Sequence, residues 1–87
     1  MELTVYGPLR AATGEKTVRV AFDGGIAADA VAAFVAAYPR ARPYLYDGDD
    51  LRPSVRVARE GERVALETPV PPDAELTLFP AVQGGRG

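Results

Sequence analysis

The chain of 87 residues contains no cysteine, no histidine and no tryptophan, and Ser54 is its only serine. These absences exclude a Cys/His zinc site, a thiol nucleophile, a Ser-His-Asp triad and a histidine acting as acid or base near neutral pH. Side-chain catalysis would have to rest on carboxylates, which are scattered along the chain. The composition favours a binding protein, or the substrate of another enzyme, over an enzyme.

The chain also lacks a strong charge of either sign and a long apolar run. Ten Lys and Arg residues against twelve Asp and Glu give a net charge of −2, which provides no positive surface for DNA or RNA. The longest largely apolar stretch, residues 27–38, contains Asp29 and is shorter than the roughly 20 residues that span a bilayer. Met1 leads into a strand-like alternation and not into a signal peptide. We expect a cytoplasmic protein with no nucleic-acid, membrane, metal or cofactor partner of its own.

The length suits one small domain and not two. Alternation of apolar and polar residues predicts strands at residues 2–6, 17–22, 54–58, 63–66 and 75–79, the first two as an antiparallel hairpin. Residues 7–16, 40–52 and 69–73 are predicted to be connections. Residues 27–38 are rich in alanine and carry bulky apolar side chains at i, i+3, i+4 and i+7, which predicts an amphipathic helix that ends before Pro39.

This order of elements predicts an α+β domain in which a sheet of four to five strands is covered by one helix. Leu3 and Val5 would face the helix. On the outer face, an apolar patch for a partner is expected from Tyr6, Pro8, Leu9 and Phe79. The alternation places Phe79 outward, whereas a bulge at Pro80 would turn it into the core.

Two charged segments could be binding sites, but each also has a purely structural interpretation. The acidic run at residues 47–50 does not fit an EF-hand calcium loop, because the fifth, sixth and twelfth positions of that loop would be Leu51, Arg52 and Ala58. A solvated loop is the better interpretation. The arginines at positions 52, 56, 59 and 63 form either a basic stripe for an acidic partner or a solvated hairpin; their alternation with Glu60 and Glu62 favours the hairpin.

The C-terminal segment is the most informative part of the sequence. After the last predicted strand, the chain runs through Phe79-Pro80-Ala81-Val82-Gln83 to Gly84-Gly85. Pro80 ends the strand because it cannot donate a ladder hydrogen bond. Residues 80–85 could extend about 20 Å, and glycines let a backbone enter a narrow channel. We therefore predict a domain of residues 1–80 and a flexible tail of residues 81–87 that delivers a carboxylate to another enzyme; the alternative is a terminus without chemical function.

Several of these features together resemble one known family. They are the order of elements, the helix segment from Asp29-Ala30-Val31 to Tyr38-Pro39, the turn Glu60-Gly61, and the Phe-Pro-Ala-Val-x-Gly-Gly tail. They resemble the ubiquitin-like β-grasp sulfur carriers, which include the small subunit of molybdopterin synthase, the thiamine-pathway carrier and the carrier that feeds a cysteine synthase. The resemblance covers nearly the whole chain and implies a β-grasp fold with a mixed sheet.

The resemblance also implies the chemistry. In this family the final glycine carboxylate, here that of Gly85, is adenylated by an E1-like adenylyltransferase that holds ATP and Mg²⁺, and it then becomes a thiocarboxylate. The carrier is not an enzyme; its partners are that E1-like enzyme, a sulfur donor and an acceptor biosynthetic enzyme for cysteine, molybdopterin or a sulfur-containing metabolite. The other tail residues that would enter the partner are Val82, Gln83 and Gly84. The residues expected to dock on the partner are Pro8, Leu9, Phe79 and Pro80.

One feature departs from the family pattern, because Arg86-Gly87 follows the diglycine. Some family members are precursors trimmed by a zinc-dependent JAMM-type protease, so we expect cleavage after Gly85; a cloning remnant or an inactive form are the alternatives. Two other functions stay open. One is a ubiquitin-like modifier joined through Gly85 to a target lysine, for which Lys16 is the only lysine of the chain itself; the other is an interaction module with a chemically inert tail.

Overall fold

The computed structural model describes residues 1–80. In chain order the elements are β1 (Glu2–Val5), α1 (Pro8–Thr13), β2 (Thr17–Arg19), β3 (Gly25–Ile26), α2 (Ala27–Ala37), a 3₁₀ turn (Pro39–Ala41), α3 (Arg42–Leu45), β4 (Tyr46–Asp47), β5 (Asp50–Leu51), β6 (Arg56–Arg59), β7 (Glu62–Val64), β8 (Pro69–Val70) and β9 (Glu75–Phe79). The predicted tail, residues 81–87, lies outside the described residues.

Five of the strands form one mixed sheet in the order β2-β1-β9-β6-β7. Strands β1 and β9 are parallel, and the other neighbours are antiparallel. Leu3 pairs with Leu76 and Val5 pairs with Leu78, and all four side chains are buried. The predicted α+β fold, with a mixed sheet of four to five strands under one main helix, is confirmed.

Helix α2 covers the buried face of this sheet and has the bounds that the periodicity predicted to within one residue. Its start is fixed by Asp29, whose Oδ2 accepts the Ile26 N–H at 3.0 Å, a carboxylate placement that also favours the helix dipole. Gly25 has φ +145° and leaves no room for a Cβ, which would lie 2.6 Å from Asp29 Oδ2. The glycine is therefore required for the helix to be capped in this way.

The core lies between α2 and the sheet. Phe34 is fully buried and carries the largest apolar side chain of the helix face predicted from the sequence. Among residues 1–80 no polar or charged residue is fully buried, so desolvated polar groups do not weaken this core. The other buried hydrophobic residues are Leu3, Val5, Leu9, Val18, Val20, Ala27, Ala30, Val31, Val35, Ala41, Leu45, Val55, Val57, Val70, Ala74, Leu76 and Leu78.

The connections hold more regular structure than the sequence predicted. Residues 7–16 contain α1, residues 40–52 contain most of the 3₁₀ turn, α3 and the β4–β5 hairpin, and residues 69–73 contain β8, which pairs with β3. Strand β2 is shorter than predicted, and β6 and β7 are displaced by one or two residues. None of the described helices is long and apolar enough to cross a membrane.

Helix α1 corrects one predicted docking residue. Leu9 has no exposed surface, so its placement on an exposed partner patch was wrong. Pro8 occupies the first turn of α1, and each helical residue rotates by about 100°; Leu9 therefore turns into the core while Pro8 stays outside. Helix α1 has only six residues, too few for a clear helical periodicity. The sequence pattern therefore did not distinguish it from a loop.

Replacement of Leu9 tests this correction. We expect Leu9→Ala to lower the free energy of unfolding by about 2–5 kcal/mol, because it removes buried methyl groups and leaves a cavity. Pro8→Ala is the matched control and should change stability by less than about 1 kcal/mol. Urea denaturation followed by circular dichroism measures both. Equal, small effects of the two substitutions would show that Leu9 does not support the core.

Candidate docking face at the root of the tail

Two exposed aromatic rings meet where the central strands end. Tyr6 follows β1 and Phe79 is the last residue of β9, and the parallel register that pairs Val5 with Leu78 brings the two side chains together on the outer face of the sheet. The rings are stacked, with centroids 5.2 Å apart and planes 5° from parallel. Tyr6 is 42% exposed and Phe79 38%, so the outward position expected for Phe79 from its phase is confirmed.

Two prolines extend this surface. Pro8 is exposed and Pro80 is half-buried. Gly7, between Tyr6 and Pro8, has φ +60°, and a Cβ on it would lie 3.6 Å from Pro80 Cγ, which is ordinary contact. A glycine is therefore favoured at position 7 by the left-handed backbone conformation, and not by a lack of space beside Pro80. We call the surface formed by Tyr6, Pro8, Phe79 and Pro80 the tail-root face, because Pro80 immediately precedes the predicted tail, residues 81–87.

Arg56 borders the tail-root face. It lies opposite Phe79 in the β6–β9 pair, and its Nη1 donates hydrogen bonds to the carbonyls of Pro53 at 2.8 Å and Val55 at 3.1 Å. These bonds hold the Arg56 guanidinium against the backbone just before β6. A partner surface that combines apolar groups with a carboxylate would match this arrangement.

The four arginines of residues 52–63 do not form one basic stripe. Arg56 and Arg59 are three residues apart in one strand, so their side chains leave opposite faces of the sheet. Arg52 donates its Nε–H to the Pro43 carbonyl at 3.1 Å and thereby holds the segment before β4. Arg59 pairs with Glu62 across the β6–β7 turn. These placements support the interpretation of a solvated hairpin.

Residues 1–80 contain no group of three or more acidic side chains arranged to hold a metal ion. Burial raises the pKa of the Tyr46 hydroxyl, while the positive charge of Arg42 opposes this shift. The Arg42 guanidinium lies 4.7 Å from the centre of the Tyr46 ring and donates to the Gly48 carbonyl at 2.7 Å. These two contacts of Arg42 hold the β4–β5 hairpin in place and have a structural role.

The predicted site residues therefore divide into three groups. Phe79 ends the last strand and Pro80 follows it, Pro8 follows Gly7, which lies next to Pro80, and Leu9 lies in the core. Val82, Gln83, Gly84 and Gly85 lie outside the described residues. The sequence placed Tyr6 and Phe79 on the outer face but did not predict their contact, because that contact depends on parallel pairing between strands about 70 residues apart.

The chain is similar to several known proteins in sequence and in fold. The model of the ThiS family matches residues 3–85. Small archaeal modifier protein 1 of Haloferax volcanii is 37% identical over 87 residues, covering 98% of this chain and all of that protein. The crystal structure of SAMP1 from Haloferax volcanii superposes with a TM-score of 0.81 at 36% identity and 98% coverage of both chains. The Amycolatopsis orientalis BexX/CysO complex contains a chain that superposes with a TM-score of 0.72 at 26% identity, covering 97% of this chain and 98% of that one.

The five-stranded mixed sheet under one helix, with an apolar face at the end of its last strand, defines a ubiquitin-like β-grasp protein of the carrier or modifier class. Within that class the chain belongs to the ThiS family. Small proteins of this class are generally not enzymes themselves. The family match covers residues 3–85, which is nearly the whole described domain and the sequence through the diglycine.

A double-mutant cycle tests the stacking that builds the tail-root face. We expect Tyr6→Ala and Phe79→Ala to be coupled by about 0.5–1.5 kcal/mol in the free energy of unfolding, because stacked aromatic pairs contribute this much beyond their buried area. Tyr44 is exposed to the same extent as Tyr6, and Tyr44→Ala combined with Phe79→Ala should show no coupling. Urea denaturation of the single and double variants gives both values, and a vanishing Tyr6–Phe79 coupling would contradict the stacking.

Proposed function

We propose that this chain is a sulfur carrier protein whose Gly85 carboxylate is activated by an E1-like adenylyltransferase and converted to a thiocarboxylate. The acceptor enzyme would then use this sulfur to make cysteine, molybdopterin or a sulfur-containing metabolite. The observation that carries the proposal is the family match, which includes the diglycine and ends at Gly85. The absence of histidine and cysteine is compatible with it, because the reactive group belongs to the backbone.

The chemistry needs little from the carrier. The Gly85 carboxylate attacks the α-phosphorus of ATP bound with Mg²⁺ on the partner, and pyrophosphate leaves. The acyl adenylate is then attacked by a sulfur nucleophile from the donor, a C–S bond forms, and AMP leaves with the acyl C–O bond electrons. The carrier supplies a terminus narrow enough to reach the reacting centre and a rigid face that positions it.

The tail-root face is the surface that we assign to the partner. It combines two exposed aromatic rings with two prolines at the point where the chain enters the tail, and aromatic anchors are frequent energetic centres of protein interfaces. The structural neighbour solved as a BexX/CysO complex supports docking of a carrier of this fold on another protein.

Maturation would precede activation. Arg86 and Gly87 follow Gly85, so the Gly85 carboxyl group is held in a peptide bond until that bond is hydrolysed. We assign this cleavage to a JAMM-type protease. The end of the family match at Gly85 supports the position of the cut.

A second function has support of its own. The curated relative at 37% identity is named a small modifier protein, which favours conjugation of the activated Gly85 to lysines of other proteins. Both functions share activation at Gly85 and differ in the nucleophile that follows. Lysine adducts isolated from the native host would establish the modifier function.

The tail chemistry can be tested with two lengths of the chain. Residues 1–85 and residues 1–87 are each incubated with the E1-like enzyme of the same genome, ATP, Mg²⁺ and sulfide, and intact mass is measured. We expect the 1–85 chain to exchange one oxygen for sulfur and the 1–87 chain to stay unchanged, because only the first has a free Gly85 carboxylate. Gly84→Ala/Gly85→Ala in the 1–85 chain is the control. Equal thiocarboxylate formation by the 1–87 chain would contradict maturation at Gly85, and its absence from both chains would contradict the carrier function.

The docking assignment makes a separate kinetic prediction. Phe79→Ala should raise the KM for the carrier in the adenylation reaction about tenfold with little change in kcat, since it removes an aromatic anchor distant from the reacting carboxylate. Pyrophosphate release measures the reaction. Tyr44→Ala, which removes a similarly exposed aromatic ring elsewhere, should leave KM unchanged. A KM that is unaffected by Phe79→Ala would remove this residue from the interface.

A further inference from the structure

Lys16 is the only lysine of the chain, and the fold places it near the root of the tail. The Val5 N–H donates to the Lys16 carbonyl at 2.8 Å, and Val5 pairs with Leu78 on its other side. Neighbouring strands are about 4.8 Å apart, so the Cα of Lys16 lies about 10 Å from that of Leu78. Lys16 is therefore at the end of the sheet where β9 runs into the tail.

The backbone before Lys16 is held in place. Gly14 ends α1 with φ +79° and donates to the Arg10 carbonyl at 2.9 Å. The Thr13 hydroxyl donates to the Glu15 carbonyl at 2.6 Å. The Lys16 side chain itself is exposed, and no other group of residues 1–80 forms a hydrogen bond or ion pair with its amine. The Lys16 amine is therefore unpaired among the described residues, while the backbone before it is held by hydrogen bonds.

The N-terminal amine of Met1 differs from that of Lys16 in two respects, its hydrogen bonding and its position in the sheet. It donates to the Val20 carbonyl at 2.8 Å and is partly buried. Because β1 and β9 are parallel, Met1 lies beside the start of β9, at the opposite end of the sheet from Pro80. Arginine side chains stay protonated and do not act as nucleophiles. Among residues 1–80, Lys16 is the free amine on the tail side of the sheet.

The distances permit contact between this amine and the Gly85 carbonyl. Pro80 is two residues beyond Leu78, which places it about 12 Å from the Lys16 Cα. The five residues from position 81 to position 85 can span up to about 17 Å, even before the length of the lysine side chain is added. A connection this short raises the effective concentration of the two groups to the millimolar range.

We propose that Lys16 is an autoacylation site for the chain's own activated tail, an inference that rests on the activation of Gly85 proposed above. The unprotonated Lys16 Nζ attacks the Gly85 carbonyl of the acyl adenylate; the C–N bond forms, the C–O bond to AMP breaks, AMP carries away the electron pair, and the amine proton passes to water. The product is an isopeptide ring from Lys16 to Gly85. It consumes the carboxyl group, so this form of the chain no longer accepts sulfur.

The reaction can be tested without the adenylating enzyme. Residues 1–80 contain every described element, so the 1–85 chain keeps the folded domain, and it is prepared with Gly85 as a thioester of a small thiol. We expect conversion to a species one water lighter than the hydrolysed acid, and proteolysis should yield a branched peptide that joins Lys16 to Gly85. Lys16→Arg should abolish this product, with circular dichroism confirming an unchanged fold.

A displaced lysine is the matched control. The double variant Lys16→Arg/Arg19→Lys keeps one lysine at the same edge of the sheet but moves it three residues along the chain, which places its Cα about 19 Å from Pro80 in place of about 12 Å. It should cyclise at least roughly tenfold more slowly because only nearly extended tail conformations reach it. Equal rates for the original and displaced lysine would overturn the proposal, as would persistence of the product in Lys16→Arg. A covalent dimer that increases with protein concentration, in place of the ring, would also overturn it. Because the thioester is made chemically, such failures leave the test of enzymatic adenylation unaffected.

Discussion

Parallel pairing between β1 and β9 is the constraint on which the rest of this structure depends. The two strands come from opposite ends of the described chain, and their pairing places Leu3 against Leu76 and Val5 against Leu78 beneath α2. Because parallel strands end at the same edge, it also brings Tyr6 beside Phe79 and both beside Pro80. The pairing that completes the core thus also builds the surface from which the tail begins.

This constraint explains which features could be predicted from the sequence. Strands β1 and β9 and helix α2 have local periodicities of two and 3.6 residues, and their positions were predicted nearly to the residue. The stacking of Tyr6 on Phe79 and the placement of Lys16 beside the tail side of the sheet depend on pairing between distant segments. No local pattern reports such pairing, so these features required the structure.

The burial of Leu9 shows that a local feature can also escape prediction from the sequence. In an extended strand Pro8 and Leu9 would point to opposite faces, and in a loop their directions would be undetermined; in the short helix α1 the leucine turns inward while the proline stays exposed. The Gly7-Pro8 signal predicted the end of β1 correctly. It did not distinguish a turn from the start of a helix, since Pro is favoured in both settings.

The proposed reactive group lies in the tail, whereas the residues that stabilise the fold lie in the described domain. The described domain has a wholly apolar buried set, and its exposed basic residues are arginines apart from Lys16. An activated carboxyl group at the end of a short tail would acylate any accessible amine within reach, whereas a guanidinium stays protonated and does not react. Arginine would therefore supply positive charge near the proposed acyl adenylate without offering a competing nucleophile. By the same reasoning, Lys16, on the tail side of the sheet, would compete with the external nucleophile for the activated carboxyl group proposed above.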